Sequence, residues 1–591
     1  MSRTRPTRPR AVLAAGVLLP LLLALAPAAP AAAGTSATGT PASGAAAVYE
    51  AEDGQLNGVQ SASAEPGHSG TGYVEGFDAP DDTVTVTVPD SPGGLYDLTV
   101  RYRSPYGDKK TALRLNGAGA GEVSLASSTV FADAPAGRVL LRAGVNTVAL
   151  QTDWGWYQID AISLAPAPPP PPHRLSGTPV DPAATPEARS LLSYLGSGYG
   201  DRILSGQQDT ASVQWLEQNI GRAPAVEGLD LMDYSPSRVE HGASSQEVEN
   251  ALAWDARGGI TTFVWHWNAP SHLVDQPGKE WWRGFYTDAS TFDLAAALAD
   301  PGSDDYRLLI RDIDAISVQL SRLQDAGVPV LWRPLHEAEG GWFWWGAKGP
   351  GPAKELYRLM YDRMVNHNHL HNLVWVWNSV DAAWYPGDDV VDVVSTDSYP
   401  PAGDHGPVSG TYDRLVALGK DAKPVALGEV GTIPDPDLLR AYHADWSWFV
   451  TWSGGFLTDG TANSRDFLKR VYDDPYVVTL DELGDFKHSG GCRAEITTLT
   501  TWNAGAEYRV TVRNTGSTPT SGWQTGWNLP AGSVVTQSWN ADVSAAGGRL
   551  RASALSWNGV LQPGRSAEFY LLTNAPPAFP VTTAPSCTTT G

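Results

Sequence analysis

Two glutamates carry the chemistry that this chain can be read to perform. The first lies in LWRPLHEAEGGWFWWG, residues 331–346, where the apolar run Val328–Trp332 leads into Arg333, His336 and Glu337. Trp342, Phe343, Trp344 and Trp345 follow at once. A carboxylate ending a buried strand, beside a histidine, an arginine and a wall of indoles, suits a site that holds a sugar and moves a proton. Sugar ring faces stack on aromatics, and buried polar groups must find partners. The second glutamate is Glu429, in ALGEVG. Cleaving a glycosidic bond takes two carboxyls, one to protonate the leaving oxygen and one to attack carbon or activate water. The two stand 429 − 337 = 92 positions apart, so they can meet only if each ends a strand of the same sheet or barrel.

Other polar residues also follow apolar runs. His266 follows 259–265, Asn378 ends 372–378, Asp397 and Tyr399 lie in STDSYP, and Trp452 ends 448–452. Asp397 with Tyr399 could orient the attacking carboxylate, and His336 could tune its neighbour through a hydrogen bond. Zinc chemistry is disfavoured because no H-E-x-x-H or Cys/His ligand spacing occurs. A serine nucleophile is disfavoured because there is no G-x-S-x-G elbow.

The elements that must position these residues are legible as patterns. Leu309, Ile313, Ile316, Leu320 and Leu323 repeat at helical spacing over 304–326, and Gly327 stops the helix. Strand-like runs recur at 259–265, 328–332, 372–378, 389–395, 423–428 and 448–452. Alternating strands and helices over 175–485 predict α/β architecture, at a length that suits a (β/α)8 barrel with its site at the strand C-terminal ends. A doubly wound sheet is the alternative, but no glycine-rich phosphate loop follows any strand. Residues 47–164 and 492–587 read as short, alternating β-runs, the pattern of two β-sandwiches. A stiff proline-rich spacer covers 165–174, and 486–491 is a short second linker.

Bulk properties narrow the function. The chain has 591 residues, too long for one core, and a formal net charge of −23. That charge opposes nucleic-acid binding and suits a neutral ligand. Residues 1–33 run from basic through apolar to small, the pattern of a secretory signal, and 34–46 are small and polar, the composition of a disordered mature N-terminus. The expectation is a secreted, extracellular protein with no membrane association after cleavage. The two cysteines, Cys492 and Cys587, are most simply a disulfide in an exported protein.

On these residues the chain resembles a known family. WRPLHEAEGGWFWWG, with WHWNAP at 265–270, STDSYP at 395–400 and GEVG at 428–431, is similar to glycoside hydrolase family 26, the β-mannanase family of retaining (β/α)8 barrels. The resemblance implies Glu337 as acid/base, Glu429 as nucleophile and Tyr399 as its hydrogen-bond partner, with Asp397 nearby. It places His266, His336, Trp342 and Trp452 along the substrate subsites. The family often carries Met-Asn after the catalytic glutamate, where this chain has Ala338-Glu339. Residues 47–164, with YEAEDG and DWGWYQIDAISL, look like carbohydrate-binding module family 35. That likeness implies a structural Ca²⁺ near Glu50, Glu52 and Asp160, and stacking by Trp154 and Tyr106. Residues 492–587 are similar to family 2 cellulose-binding modules, which implies a cellulose face of Trp502, Trp539 and Trp557.

The reading that follows is a secreted, monomeric endo-1,4-β-mannanase, EC 3.2.1.78, acting on mannans, glucomannans and galactomannans, anchored to cellulose and needing no cofactor for catalysis. The same barrel acting on mixed-linkage β-glucan or β-1,3-xylan is the first alternative. A non-catalytic polysaccharide-binding wall protein is the second.

Overall fold

The helix Asp304–Asp325 shows how the periodic pattern becomes structure. Ser303 caps it, its Oγ accepting the Tyr306 amide at 3.1 Å, and Asp304 and Asp305 sit in the first turn, where the helix dipole favours negative charge. Leu309, Ile313, Ile316, Leu320 and Leu323 form its fully buried stripe. Gly327, at φ 67°, ends it in the left-handed conformation that glycine adopts without penalty. In this computed structural model the described residues are 46–591, apart from 485, 488–491, 503–504, 515–518, 530–532, 547–548, 575–584 and 591. The expected signal segment and nearly all of the polar stretch after it lie outside the described residues.

Among the described residues the central domain is a closed, all-parallel barrel. Its strands, here numbered β1–β8, are Gly206–Gln208, Val226–Asp230, Ile260–Val264, Val330–Arg333, Leu373–Asn378, Val393–Ser398, Val425–Val430 and Phe449–Thr451. The barrel, not the doubly wound alternative, is therefore the architecture. Strand alternation divides the apolar residues into two sets. Val226, Ile260, Leu331, Val374, Val393, Ala426 and Val450 fill the barrel interior. Leu229, Phe263, Trp332, Trp375, Leu427 and Phe449 pack outward with the helices. On β4 this alternation turns Leu331 inward, Trp332 outward and Arg333 inward again.

Register then sets the neighbours at the barrel mouth. β6 and β7 pair in parallel, with a shift between Thr396 and Asp397 that brings Asp397 opposite Glu429. Such irregularities re-aim side chains and are enriched beside active sites. After β4 the chain coils tightly. Leu335 and Glu337 both have positive φ, 53° and 51°, a region costly for residues with a Cβ.

The N-terminal module is an antiparallel sheet built on two very long strands, Thr83–Ser104 and Ser128–Trp154, that wrap one core. Its last strand runs to Pro166. The C-terminal module is two four-stranded sheets among its described residues. Trp523 and Trp527 pack beside Phe569 in its core. Phe486 is packed into the base of the barrel.

Cys492 and Cys587 are bonded and close a loop of 95 residues, joining the first strand of one sheet to the last strand of the other. Removing that constraint exposes the C-terminal module to about 4–5 kcal/mol of unfolded-chain entropy. In differential scanning calorimetry, Cys492→Ser/Cys587→Ser is expected to lower the transition of this module by roughly 15 °C or more. The barrel transition should not move.

Candidate active site

Arg333 is the centre of the barrel mouth. Its Nη1 donates to Asp397 Oδ2 at 2.8 Å and its Nη2 to Glu429 Oε1 at 2.5 Å, and all three side chains are buried. Two carboxylates flank one guanidinium, so a negative charge remains at the site. Tyr399 Oη donates to the other Glu429 oxygen at 2.6 Å. Both Glu429 oxygens are thereby fixed, and the carboxylate cannot rotate without breaking a charge-assisted bond. Burial, followed by the charges of Glu429 and Asp397, raises the Tyr399 phenol far above its ordinary range, so it remains a donor.

Asn378, at the end of β5, links the two halves. Its Nδ2 donates to Asp397 Oδ1 at 2.8 Å and its Oδ1 accepts the Glu337 amide at 3.0 Å. That second bond helps hold Glu337 in its left-handed conformation. Gly428 leaves room for the assembly, because a Cβ there would lie 2.7 Å from Asp397 Oδ1 and 2.9 Å from Arg333 Cδ. Burial raises the Asp397 carboxyl, and the Arg333 charge opposes that rise.

Glu337 stands half-buried on the opposite side of this network. Burial raises its carboxyl, and the negative charge of Glu429 raises it further. Trp342 Nε1 donates to its Oε2 at 3.0 Å and pulls it back, as does Arg333. Trp342 is 47% exposed and presents a face to solvent. Glycine at 340 permits this, since a Cβ there would overlap the indole. Trp344 and Trp345 do not share that exposure. They are buried and donate to the backbone carbonyls of Trp267 and His336, so they build the wall behind the site.

Two histidines line the floor. His266 Nδ1 is 2.7 Å from Asp230 Oδ2, and His266 Nε2 is 3.2 Å from His336 Nε2. Burial alone would lower His266, but the charge and hydrogen bond of Asp230, with the charge of Glu429, carry it upward. Burial and the neighbouring His266 push His336 well below its ordinary value, so it stays neutral and can accept from its partner. Phe285, Phe343 and Trp452 ring His266. Asp230 gave no signal in the sequence because a glutamate and a glycine interrupt its strand, VEGLD. Arg333 was visible there, but its double bridge was not. Glu339 lies on the turn after Glu337, exposed, with Oε1 accepting the Val380 amide at 3.3 Å.

In the N-terminal module, Trp154 and Tyr106 are exposed, and Lys109 Nζ lies 4.6 Å from the Trp154 ring centre. Trp502, Trp539 and Trp557 are exposed on the C-terminal module. Glu50 and Glu52 converge on the loop at Gly70, where a Cβ would lie 2.5 Å from Glu52 Oε1 and 2.9 Å from the Glu50 carboxyl carbon. Glu52 Oε2 is buried without a partner. Asp160 is instead engaged by Arg101 Nε at 2.8 Å and by the Ser69 amide. Among the described residues no three such groups are gathered closely enough to hold a metal.

A parallel barrel with paired carboxyls at its strand ends, an exposed indole beside one and a fixed cation beside the other, defines a glycoside hydrolase. The chain belongs to glycosyl hydrolase family 26, whose sequence pattern it matches over residues 180–482. It also matches carbohydrate binding module family 35 over 47–167 and a cellulose binding domain over 492–591. It is 51% identical to a mannan endo-1,4-beta-mannosidase of Thermothelomyces thermophilus, over 76% of this chain and 92% of that one. It is 35% identical to mannan endo-1,4-beta-mannosidase B of a Piromyces species, over 74% of this chain and 77% of the relative. Among solved structures it is similar to the Podospora anserina GH26-CBM35 beta-(1,4)-mannanase. That match has 50% identity and a TM-score of 0.58, covering 75% of this chain and 99% of that structure.

The Trp342 bond to Glu337 has a checkable consequence. Trp342→Phe removes a donor that lowers the Glu337 carboxyl, so that carboxyl should rise and the alkaline limb of the kcat/KM profile should move to higher pH. The lost contact should also cut kcat/KM by about 10-fold. A pH–rate profile of the variant checks both.

Proposed function

We propose that the chain is a secreted endo-1,4-β-mannanase that works by double displacement, with Glu429 as nucleophile and Glu337 as acid/base. The observation that carries this reading is the unequal environment of the two carboxyls. Glu429 is fixed by Arg333 and Tyr399, whereas Glu337 is raised by burial and by the Glu429 charge. Environments that separate two carboxyls assign acid and nucleophile.

The steps follow from that asymmetry. Glu337, protonated, gives its proton to the glycosidic oxygen as the Glu429 carboxylate attacks the anomeric carbon. The C–O bond to the leaving chain breaks, and an ester forms to Glu429. The Glu429 charge is then gone, and with it a cause of the raised Glu337 carboxyl. Glu337 therefore stays ionised after giving up its proton, and takes one from a water that attacks the anomeric carbon; the ester bond breaks, the sugar is released and the Glu429 carboxylate is restored. Tyr399 and Arg333 steady the carboxylate as it leaves. Trp342 and Trp452 offer faces for the sugar rings, and His266 and His336 offer polar contacts.

Mannan as substrate is supported by the activity named for the similar proteins. The exposed tryptophans of the C-terminal module fit a flat cellulose surface, and Trp154 and Tyr106 fit a glycan on the N-terminal module. Binding to the abundant polymer raises the enzyme's concentration near the scarcer one. Secretion is supported by the pattern of residues 1–33, and we read the enzyme as a monomer. Among the described residues no helix is long and apolar enough to cross a membrane.

Hydrolysis measured side by side on mannan, mixed-linkage glucan and β-1,3-xylan should favour mannan, and preference for either of the others would overturn the substrate reading. Glu429→Ala should lower kcat at least ~10⁴-fold. With azide added, Glu429→Ala should yield the α-mannosyl azide and Glu337→Ala the β-mannosyl azide. The opposite pairing would exchange the two roles.

We also read Glu50 and the orphaned Glu52 oxygen as donors for Ca²⁺, since carboxylate oxygens suit that ion. At 100-fold excess over its Kd, Ca²⁺ should stabilise the N-terminal module by about 2.7 kcal/mol. Calorimetry should show this gain in the native protein and its loss in Glu52→Gln.

A further inference from the structure

Four polar residues stand in one row around the barrel wall. Strand register aligns Thr451 of β8 with Gln207 of β1, Gln207 with Glu227 of β2, and Glu227 with Thr261 of β3. The adjoining Val450, Val226 and Ile260 fill the barrel interior, so alternation turns this row outward. Outward here is not toward solvent. The helices Thr210–Asn219 and Glu247–Ala256 cover β1, β2 and β3, and each of the four residues is at most 1% exposed. Two positions further along the same outer face, Leu229 and Phe263 are the apolar residues such a layer calls for.

Each residue of the row leaves an oxygen with no hydrogen-bond partner among the described residues. These are Thr451 Oγ1, Gln207 Oε1, Glu227 Oε1 and Thr261 Oγ1. Thr210 Oγ1, at the start of the first covering helix, is a fifth. Turning the Gln207 amide gives no relief, because its Nε2 already donates to Thr451 O at 3.0 Å and to Gln208 O at 3.1 Å. A buried oxygen without a partner is costly, and five on one seam call for a common cause.

Glu227 brings the charge. Burial pushes its carboxyl up to about 7, and the Thr210 hydroxyl opposes that rise. From the covering helices, Glu247 in the first turn of one and Asp209 at the cap of the other raise it further. Arg257 lowers it, but that guanidinium is paired with Glu217 and lies over the Trp254 ring. The seam is therefore short of positive charge.

We propose that these five oxygens bind a monovalent alkali cation, sodium or potassium, between the barrel wall and the helices that cover it. The donors are three hydroxyls, an amide carbonyl and a carboxylate, a set that suits a hard cation and not a transition metal. One donor is charged, so one positive charge neutralises the seam, whereas a divalent ion would leave a buried charge unpaired. Asp209 and Glu247 are committed elsewhere, to the Ser212 amide at 2.7 Å and to Asn250 Nδ2 at 3.2 Å. Bound there, the cation braces β2, whose Asp230 stands three residues beyond Glu227 and holds His266 in the barrel mouth.

Calorimetry of the full-length enzyme in three salts tests this. At pH 8, with Ca²⁺ held constant, NaCl or KCl in place of equimolar tetramethylammonium chloride should raise the barrel transition by about 3 °C. The ion with the larger effect identifies the occupant. The response should shrink at pH 5, where Glu227 holds a proton in place of the cation. In tetramethylammonium alone, a raised carboxyl costs stability as pH climbs toward 7, and the cation should remove that loss. Glu227→Gln should abolish the response. Thr261→Val separates a ligand from an idle hydroxyl, and decides the matter alone should Glu227→Gln fail to fold. Removing an idle hydroxyl would raise the transition in every salt, whereas removing a ligand should lower it in the favoured salt and diminish the response. Equal transitions of the unaltered enzyme in all three salts would overturn the proposal. So would a response that Glu227→Gln or Thr261→Val leaves intact.

Discussion

The site depends on one buried cation. Arg333 is taken out of water between Asp397 and Glu429. An unpaired charge at that depth would cost several kcal/mol, so the three groups are tenable only together. Strand alternation aims Arg333 inward, and the shifted pairing of β6 with β7 brings Asp397 opposite Glu429. From there a continuous chain of hydrogen bonds runs from Tyr399 through Glu429, Arg333, Asp397 and Asn378 to the Glu337 backbone. The two carboxyls assigned to catalysis are thus coupled mechanically as well as electrostatically. The strained turn carrying Glu337 is held by the same network that holds Glu429.

How much of this was legible beforehand follows from what each residue signals. Strands β3, β4, β5, β7 and β8 are largely apolar runs buried on both faces, and β6 begins as one; such runs stand out in a sequence. β1 reads GQQ and β2 reads VEGLD, too polar to mark strands, so Asp230 and its hold on His266 went unseen. The glutamate pair was visible because each member lies at or just beyond the end of an apolar run, Glu429 at once after 423–428 and Glu337 five residues past Trp332. The tryptophan wall was visible as composition but not as division of labour, because nothing local says that Trp342 faces out while Trp344 and Trp345 face in. The left-handed turn at Leu335 and Glu337 carries no glycine to announce it. Nor could spacing have shown that Asp160 would turn to Arg101, leaving Glu50 and Glu52 at the Gly70 loop.

The modules extend the same economy of constraint. In the C-terminal module, a disulfide bonds the first strand of one sheet to the last strand of the other. A module that binds polysaccharide gains from such rigidity, because order supplied in advance need not be lost on binding. The acidic, charge-poor surface fits a neutral glycan and leaves recognition to stacking and hydrogen bonding.

The account rests on Glu429 attacking carbon while Glu337 serves first as acid and then as base. The most direct measurement is the proton NMR spectrum of the anomeric region in the first minutes of mannan hydrolysis. Double displacement predicts that the β-anomer appears first, with the α-anomer growing in only as mutarotation proceeds. Initial appearance of the α-anomer would mean a single displacement by water, and would contradict the assignment of Glu429 as nucleophile.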